Sequence, residues 1–138
     1  MFSSLDVSTS ALVAQRIRLN AIAGNLANTS TTHNEAGEAA PYQPRFTVFE
    51  ADHSLPGNAP GVKVSSVQVS DVEPRYKFDP GHPDAIKSGE RQGYVAYPNI
   101  DMTTEFVDAL EATRAYEANI GVIEVTKSLA TQTLKIVA

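Results

Sequence analysis

Leucine recurs at every seventh position near the start of this chain, at Leu5, Leu12, Leu19 and Leu26. The far end keeps the same interval with Met102, Ala109, Tyr116, Ile123, Ala130 and Val137. A sustained seven-residue apolar repeat is the period at which helices lie alongside one another. The two ends therefore read as helices that pack together and against neighbours, carrying everything between them as an insertion. The expected fold class is α+β, in three parts. Residues 1–30 form an N-terminal coiled-coil helix, 31–98 a loop and small β-rich insertion, and 99–138 a C-terminal coiled-coil helix.

With 138 residues, the chain is one domain or one small domain with helical extensions. Aromatic residues make up 7% and Trp is absent, so the apolar content is mostly Ala, Val, Ile and Leu, suited to helix seams more than to a thick core. No apolar run approaches the roughly 20 residues of a membrane-spanning helix. The N-terminus lacks a basic stretch followed by an apolar one, so no cleaved secretion signal is expected. Disulfides and thiolate sites are excluded by the absence of Cys. A net charge of −5 argues against nucleic-acid binding, which needs clustered Lys and Arg.

Residues 3–28 read as the first helix, roughly 39 Å long at the α-helical rise, with Ser3 and Asp6 as a capping pair. Ile22 and Ala23 adjoin the leucine stripe, while Gln15, Arg16, Arg18 and Asn20 lie mostly off it. Two uses of the leucines stand side by side, an intramolecular core and packing between subunits. The end of this helix is polar for a seam. Gly24 costs about 1 kcal/mol relative to Ala inside a helix, and Asn25 and Asn28 share one face. Either the helix frays there or the two amides bind a neighbouring backbone or each other. The glycosylation sequon at Asn28-Thr29-Ser30 needs a secretory setting that nothing in the sequence supports.

Residues 29–44 are polar and read as a loop. The period then changes to two. Strands are expected at 45–49, at 61–69 with a bulge where Ser65-Ser66 breaks the alternation, and as short pieces at 75–78 and 93–97. Pro98-Asn99-Ile100-Asp101 signals entry to the last helix, with Asn99 or Asp101 as its cap. That helix would run about 55 Å. Met102, Phe106, Ala109, Leu110, Thr113, Tyr116, Ile120, Ile123, Ala130, Leu134 and Val137 trace one broad face, and Glu111–Arg114 and Glu124–Lys127 are spaced as weak ion pairs. A helix of that length outruns a slim insertion and one shorter helix, so part of its apolar face should need other chains.

Catalytic chemistry finds little support. The three histidines are scattered through loops, and no nucleophile elbow, phosphate loop or dinucleotide fingerprint is present. Asp79, His82 and Asp84 could bring two carboxylates and an imidazole around a metal. Two prolines and a glycine in that stretch more simply make a rigid turn closed by hydrogen bonds. The expectation is a non-enzyme without cofactor or metal.

Ala11-Leu12 followed by Arg18-Leu19-Asn20-Ala21-Ile22-Ala23-Gly24-Asn25-Leu26-Ala27-Asn28-Thr29 resembles the N-terminal signature of the bacterial flagellar rod and hook proteins. Asp79-Pro80-Gly81-His82-Pro83-Asp84-Ala85, Gly93-Tyr94-Val95 and Pro98-Asn99-Ile100 resemble a run found in a proximal-rod member. Arg114-Ala115-Tyr116-Glu117-Ala118-Asn119 with Thr126-Lys127-Ser128 is similar to that member's last helix.

The resemblance implies a structural subunit of the proximal rod, the torque-transmitting drive shaft across the periplasm. Its terminal helices would pair as the inner tube of a helical assembly and be disordered before assembly. Implied partners are copies of itself, the rod proteins FlgB, FlgF and FlgG, the FliE adaptor, the MS ring and the type III export apparatus that passes the chain unprocessed. Neither nucleic acid nor direct membrane insertion is implied. Interface residues are then expected at Leu5, Leu12, Leu19, Ile22, Asn25, Leu26, Asn28, Met102, Phe106, Leu110, Tyr116, Asn119, Ile120 and Ile123, with the three asparagines setting register. A type III-exported adaptor or needle-type protein is the alternative.

Overall fold

The computed structural model describes residues 2–56 and 59–137. Met1 and Ala138, the outer bounds of the two expected helical segments, lie outside the described residues. The elements in chain order are α1 (Phe2–Ala27), β1 (Arg45–Asp52), β2 (Gly61–Val69), β3 (Arg75–Phe78), β4 (Tyr94–Tyr97) and α2 (Met102–Val137). The fold is α+β, two terminal helices with a small β-rich insertion between them.

Helix α1 is the centre of the arrangement. It packs against α2 on one side and against the antiparallel β1–β2 hairpin on the other, while among the described residues α2 meets no strand. The helices run antiparallel, because Asn25 of α1 reaches Glu105 of α2 and Arg18, two turns earlier, reaches Glu111. Sheltered positions on α2 recur at Glu105, Ala112, Asn119 and Thr126, and again at Ala109, Tyr116, Ile123 and Ala130. Both series keep the seven-residue interval. Ala112 is fully buried there.

The hairpin fits α1 through a close backbone approach. A Cβ on Gly61 would stand 2.6 Å from Oγ of Ser10 and clash with Leu55. The space is used by hydrogen bonding, since Oγ of Ser10 accepts the Val62 N–H at 3.1 Å while donating to the Val7 carbonyl at 2.7 Å. The pairing register slips between Val48 and Phe49, where Val48 faces Ser66 and Phe49 faces Val64. Ser65 is the extra residue, as the broken alternation predicts.

The second hairpin, β3–β4, is joined to the helices by hydrogen bonds through loops. The amide of Asn99 donates to the Glu73 carbonyl at 3.0 Å and Nε of Arg75 to the Pro98 carbonyl at 3.3 Å. Val95 in β4 and Pro98 and Ile100 just after it are buried. Gly93 adopts φ 82°, a left-handed conformation that favours glycine, with Phe78 packed 2.9 Å from where a Cβ would stand.

Two local expectations are corrected and one is resolved. Helix α1 begins at Phe2, so Ser3 lies inside the first turn and does not cap it. Of the two candidate caps on α2, Asp101 is the one used. Its carboxylate accepts the Thr103 N–H at 3.0 Å and the Thr104 hydroxyl at 2.9 Å, while Asn99 is engaged with Glu73. Glu111, expected to pair with Arg114 on its own helix, reaches across to Arg18 instead.

Candidate functional site

Asn25 sits where α1, α2 and the first strand meet, 2% exposed. Its amide nitrogen donates to the Arg45 carbonyl at 2.8 Å and to both carboxylate oxygens of Glu105 at 3.2 Å. Its oxygen accepts the Arg45 N–H at 2.8 Å and the Tyr42 hydroxyl at 3.2 Å. The side chain exchanges both bonds with Arg45 as a neighbouring strand would, and so fixes where β1 starts. A Cβ on the neighbouring Gly24 would meet the Tyr42 hydroxyl at 3.6 Å, an ordinary contact. Burial raises the Tyr42 phenol above its ordinary 10.0, opposed by Arg45.

Glu105 carries the link to α2. Burial pushes its carboxyl above the ordinary 4.5, the Asn25 amide pulls it back, and Asp108 adds to the rise. Two turns along α1, Arg18 spans Asp108 at 3.8 Å and Glu111 at 3.3 Å. Arg18, Asn25, Glu105 and Asp108, with Ile22, Phe46 and Phe49, line an open groove of about 350 Å³ between β1 and α2.

The expected interface residues fall into three groups. Ile22 and Asn25 are buried within the chain. Leu5, Leu12, Leu19, Leu26, Asn28, Tyr116, Asn119 and Ile123 are half-buried. Met102, Phe106, Leu110 and Ile120 stand in solvent, Phe106 at 58% and Leu110 at 52% exposure. Of the three asparagines, only Asn25 bonds between helices. Asn28 donates to the Gly24 carbonyl and Asn119 to the Ala115 carbonyl, each at 2.8 Å on its own helix.

Beyond the sheltered stretch, α2 keeps going. Asn25 opposite Glu105 and Arg18 opposite Glu111 set a pairing that brings the start of α1 level with the residues near 128. Residues 128–137 therefore project about 15 Å past it. Leu129, Leu134, Ile136 and Val137 are bare there, Ile136 at 85% exposure.

Asp79, His82 and Asp84 form a closed turn. The Asp79 carbonyl accepts the His82 N–H at 3.2 Å, and Nδ1 of His82 accepts the Asp84 N–H at 3.1 Å. The Asp84 carboxylate takes the Thr32 hydroxyl at 2.6 Å, which holds its pKa below the ordinary 3.8, and lies 3.5 Å from His33. This tethers the loop after α1 to the second hairpin. Among the described residues no cluster of His, Cys, Asp and Glu is arranged to hold a metal.

The sequence reading missed Glu105, Arg18, Tyr42 and Thr32. None of them left a local signal, because each partner lies far along the chain.

Comparison with known proteins follows this geometry. A family model described as "Flagella basal body rod protein" matches residues 5–33, nearly all of α1. One described as "Flagellar basal body rod FlgEFG protein C-terminal" matches residues 91–136, from β4 through α2. Flagellar basal-body rod protein FlgC of Borreliella burgdorferi is 37% identical over 142 residues, covering 94% of this chain and 92% of the relative. That of Bacillus subtilis is 38% identical, covering 98% and 97%, and that of Salmonella typhimurium 39%, covering 97% and 96%. Identity at this level over nearly the full length of both partners places the chain in the FlgC family of flagellar basal-body rod proteins, as a structural subunit of the rod and not an enzyme.

Proposed function

We propose that the chain polymerises through its terminal helices into the proximal rod, a torque-transmitting shaft, and that α2 completes its packing only against other subunits. One observation carries this reading. The chain exposes 9280 Å², whereas a compact monomer of 14.8 kDa exposes about 7000 Å² by the usual size scaling. The surplus of about 2300 Å² is on the scale of permanent protein interfaces. Much of the exposed apolar side-chain surface belongs to α2, from Met102 and Phe106 to Ile136 and Val137.

The heptad spacing of the sheltered positions supports a coiled-coil pairing of α1 with α2. The half-exposed leucines of α1 and the bare Met102, Phe106, Leu110 and Ile120 serve as contacts between subunits. Such contacts are heterologous, and a heterologous contact that does not close on itself builds a helical shaft. In this reading the partners are further copies, other rod proteins such as FlgB, FlgF and FlgG, the FliE adaptor and the MS ring. The subunit leaves by type III export without a cleaved signal and works across the periplasm.

The test is Phe106→Glu combined with Leu110→Glu. Both side chains are exposed, so the purified variant should melt as the parent does while rods and motility are lost. Normal rods built from this variant would contradict the reading.

A further inference from the structure

A second concave surface lies away from the helix seam, between the end of α1 and the β3–β4 hairpin. This cleft of about 620 Å³ is lined by Thr29, Ser30, Arg75, Lys77, His82 and Tyr97 among others, with no carboxylate in its lining. That is unusual company in a chain of net charge −5. Arg75 and Lys77 alternate onto one face of β3, about 6.7 Å apart, and Arg75 is paired across the hairpin with Tyr97. The Arg75 guanidinium is steadied through Nε on the Pro98 carbonyl. Nδ1 of His82 accepts the Asp84 N–H, so the proton of the neutral ring sits on Nε2, leaving a donor.

The nearest acids keep their charge but lie outside the lining, facing other partners. Asp84, 4.0 Å from His82, takes the Thr32 hydroxyl, and Asp101 caps α2, its pKa lowered chiefly by the Thr104 hydroxyl and the Thr103 N–H and least by Arg75. Among the described residues Lys77 has no carboxylate within 4 Å.

The complementary surface is on α2. Phe106, Leu110, Thr113, Glu117, Ile120 and Glu124 follow one another at three- and four-residue steps, a single stripe on the helix. All six are exposed, and among the described residues neither glutamate has a cation within 4 Å, the expected Glu124–Lys127 pair included. The two carboxylates stand about 10.5 Å apart along the axis.

We propose that the cleft is an anion-binding seat that receives the Glu117 and Glu124 carboxylates of a second copy of this chain. The proposal rests on the assembly reading above and names the surface that α2 docks on. Charge complementarity favours the α2 stripe as occupant, since it presents two exposed carboxylates on one helix face to a cleft lined by Arg75 and Lys77 and by no acid.

The test follows self-association of the full-length chain by sedimentation, with Lys77→Glu, with Glu117→Lys/Glu124→Lys, and with all three changes together. Lys77 is exposed, so its reversal leaves the fold intact, checked by the melting curve. Each reversal alone should weaken association roughly tenfold, and the combination should restore it. Reversals without effect, or a combination no better than its parts, would overturn the proposal. So would saturable inorganic phosphate binding that Lys77→Glu removes while association is unchanged, because the occupant would then be a free anion. If the reversals spare self-association but block incorporation into basal bodies, a different rod protein is the occupant and the proposal again fails. Loss of association in Phe106→Glu/Leu110→Glu with none in the charge reversals keeps the assembly reading and discards only the seat.

Discussion

The two terminal helices are sheltered in opposite ways. Helix α1 is covered by its own chain on two sides and stitched to it by polar groups, Ser10 to β2 and Asn25 to β1, Tyr42 and α2. Helix α2 is covered on one side over part of its length, and its last residues project past α1 into solvent. The difference separates two jobs that the seven-residue repeat alone merges. One helix organises the subunit, and the other, in the proposed reading, is left for the assembly.

The comparison can be broken most forcefully at Asn25. Replacing it with Leu removes every bond of the amide and strands the Arg45 backbone, Tyr42 and Glu105. Chemical denaturation of Asn25→Leu should show a loss of about 3 kcal/mol. A loss below about 0.5 kcal/mol would mean the stitching is incidental.

Two glycines make a matched pair. Gly61→Ala drives a methyl into Ser10 and Leu55 and should cost about 1–3 kcal/mol. Gly121, in the middle of α2, has nothing within 4 Å of an added Cβ, so Gly121→Ala should stabilise the isolated chain by up to about 1 kcal/mol through helix propensity. Equal signs in thermal melts of the two variants would erase the contrast.

A pH titration sharpens the seam between the helices. The folded Glu105 carboxyl has a raised pKa, so between 4.5 and that raised value the folded chain binds more protons than the unfolded one. Its contribution therefore declines as pH rises through that window. Asp101 and Asp84 are depressed and work the other way, their contributions fading as pH falls through their folded pKa values. Stability of Glu105→Gln measured from pH 4 to 7 should lose the declining component alone. An unchanged profile would remove Glu105 from the seam's electrostatics.

The smallest effect is expected at the bare end. Leu134→Ser should leave the isolated chain within about 0.5 kcal/mol of the parent while impairing rod formation. A larger loss in the monomer would mean that α2 is covered there after all.

What the sequence makes legible is local. Helix and strand limits emerge within a few residues, the Ser65 bulge follows from a break in alternation, and the entry to α2 narrows to two caps. The partners of Asn25 and Arg18, and Thr32 opposite Asp84, do not emerge, because they lie 17 to 93 residues away and no short-range period encodes them. The intramolecular core of α1 is hidden for the same reason. Hydrophobicity marks Leu5, Leu12, Leu19 and Leu26, yet the buried positions of α1 are Ser8, Ala14, Ile22 and Asn25, chosen by where α2 and the hairpin arrive. Exposure of Phe106, Leu110 and Ile120 was equally hidden, since a broad apolar face does not say which part its own chain will cover.

The division of labour between the helices is tested most directly by amide hydrogen exchange along α2, in the purified chain and in assembled rods. Residues 128–137 should exchange freely in the isolated chain and become strongly protected in the rod, while α1 near Asn25 is protected in both. Equal protection of 128–137 in the two states, or none in the rod, would contradict the assignment of α2 to neighbouring subunits.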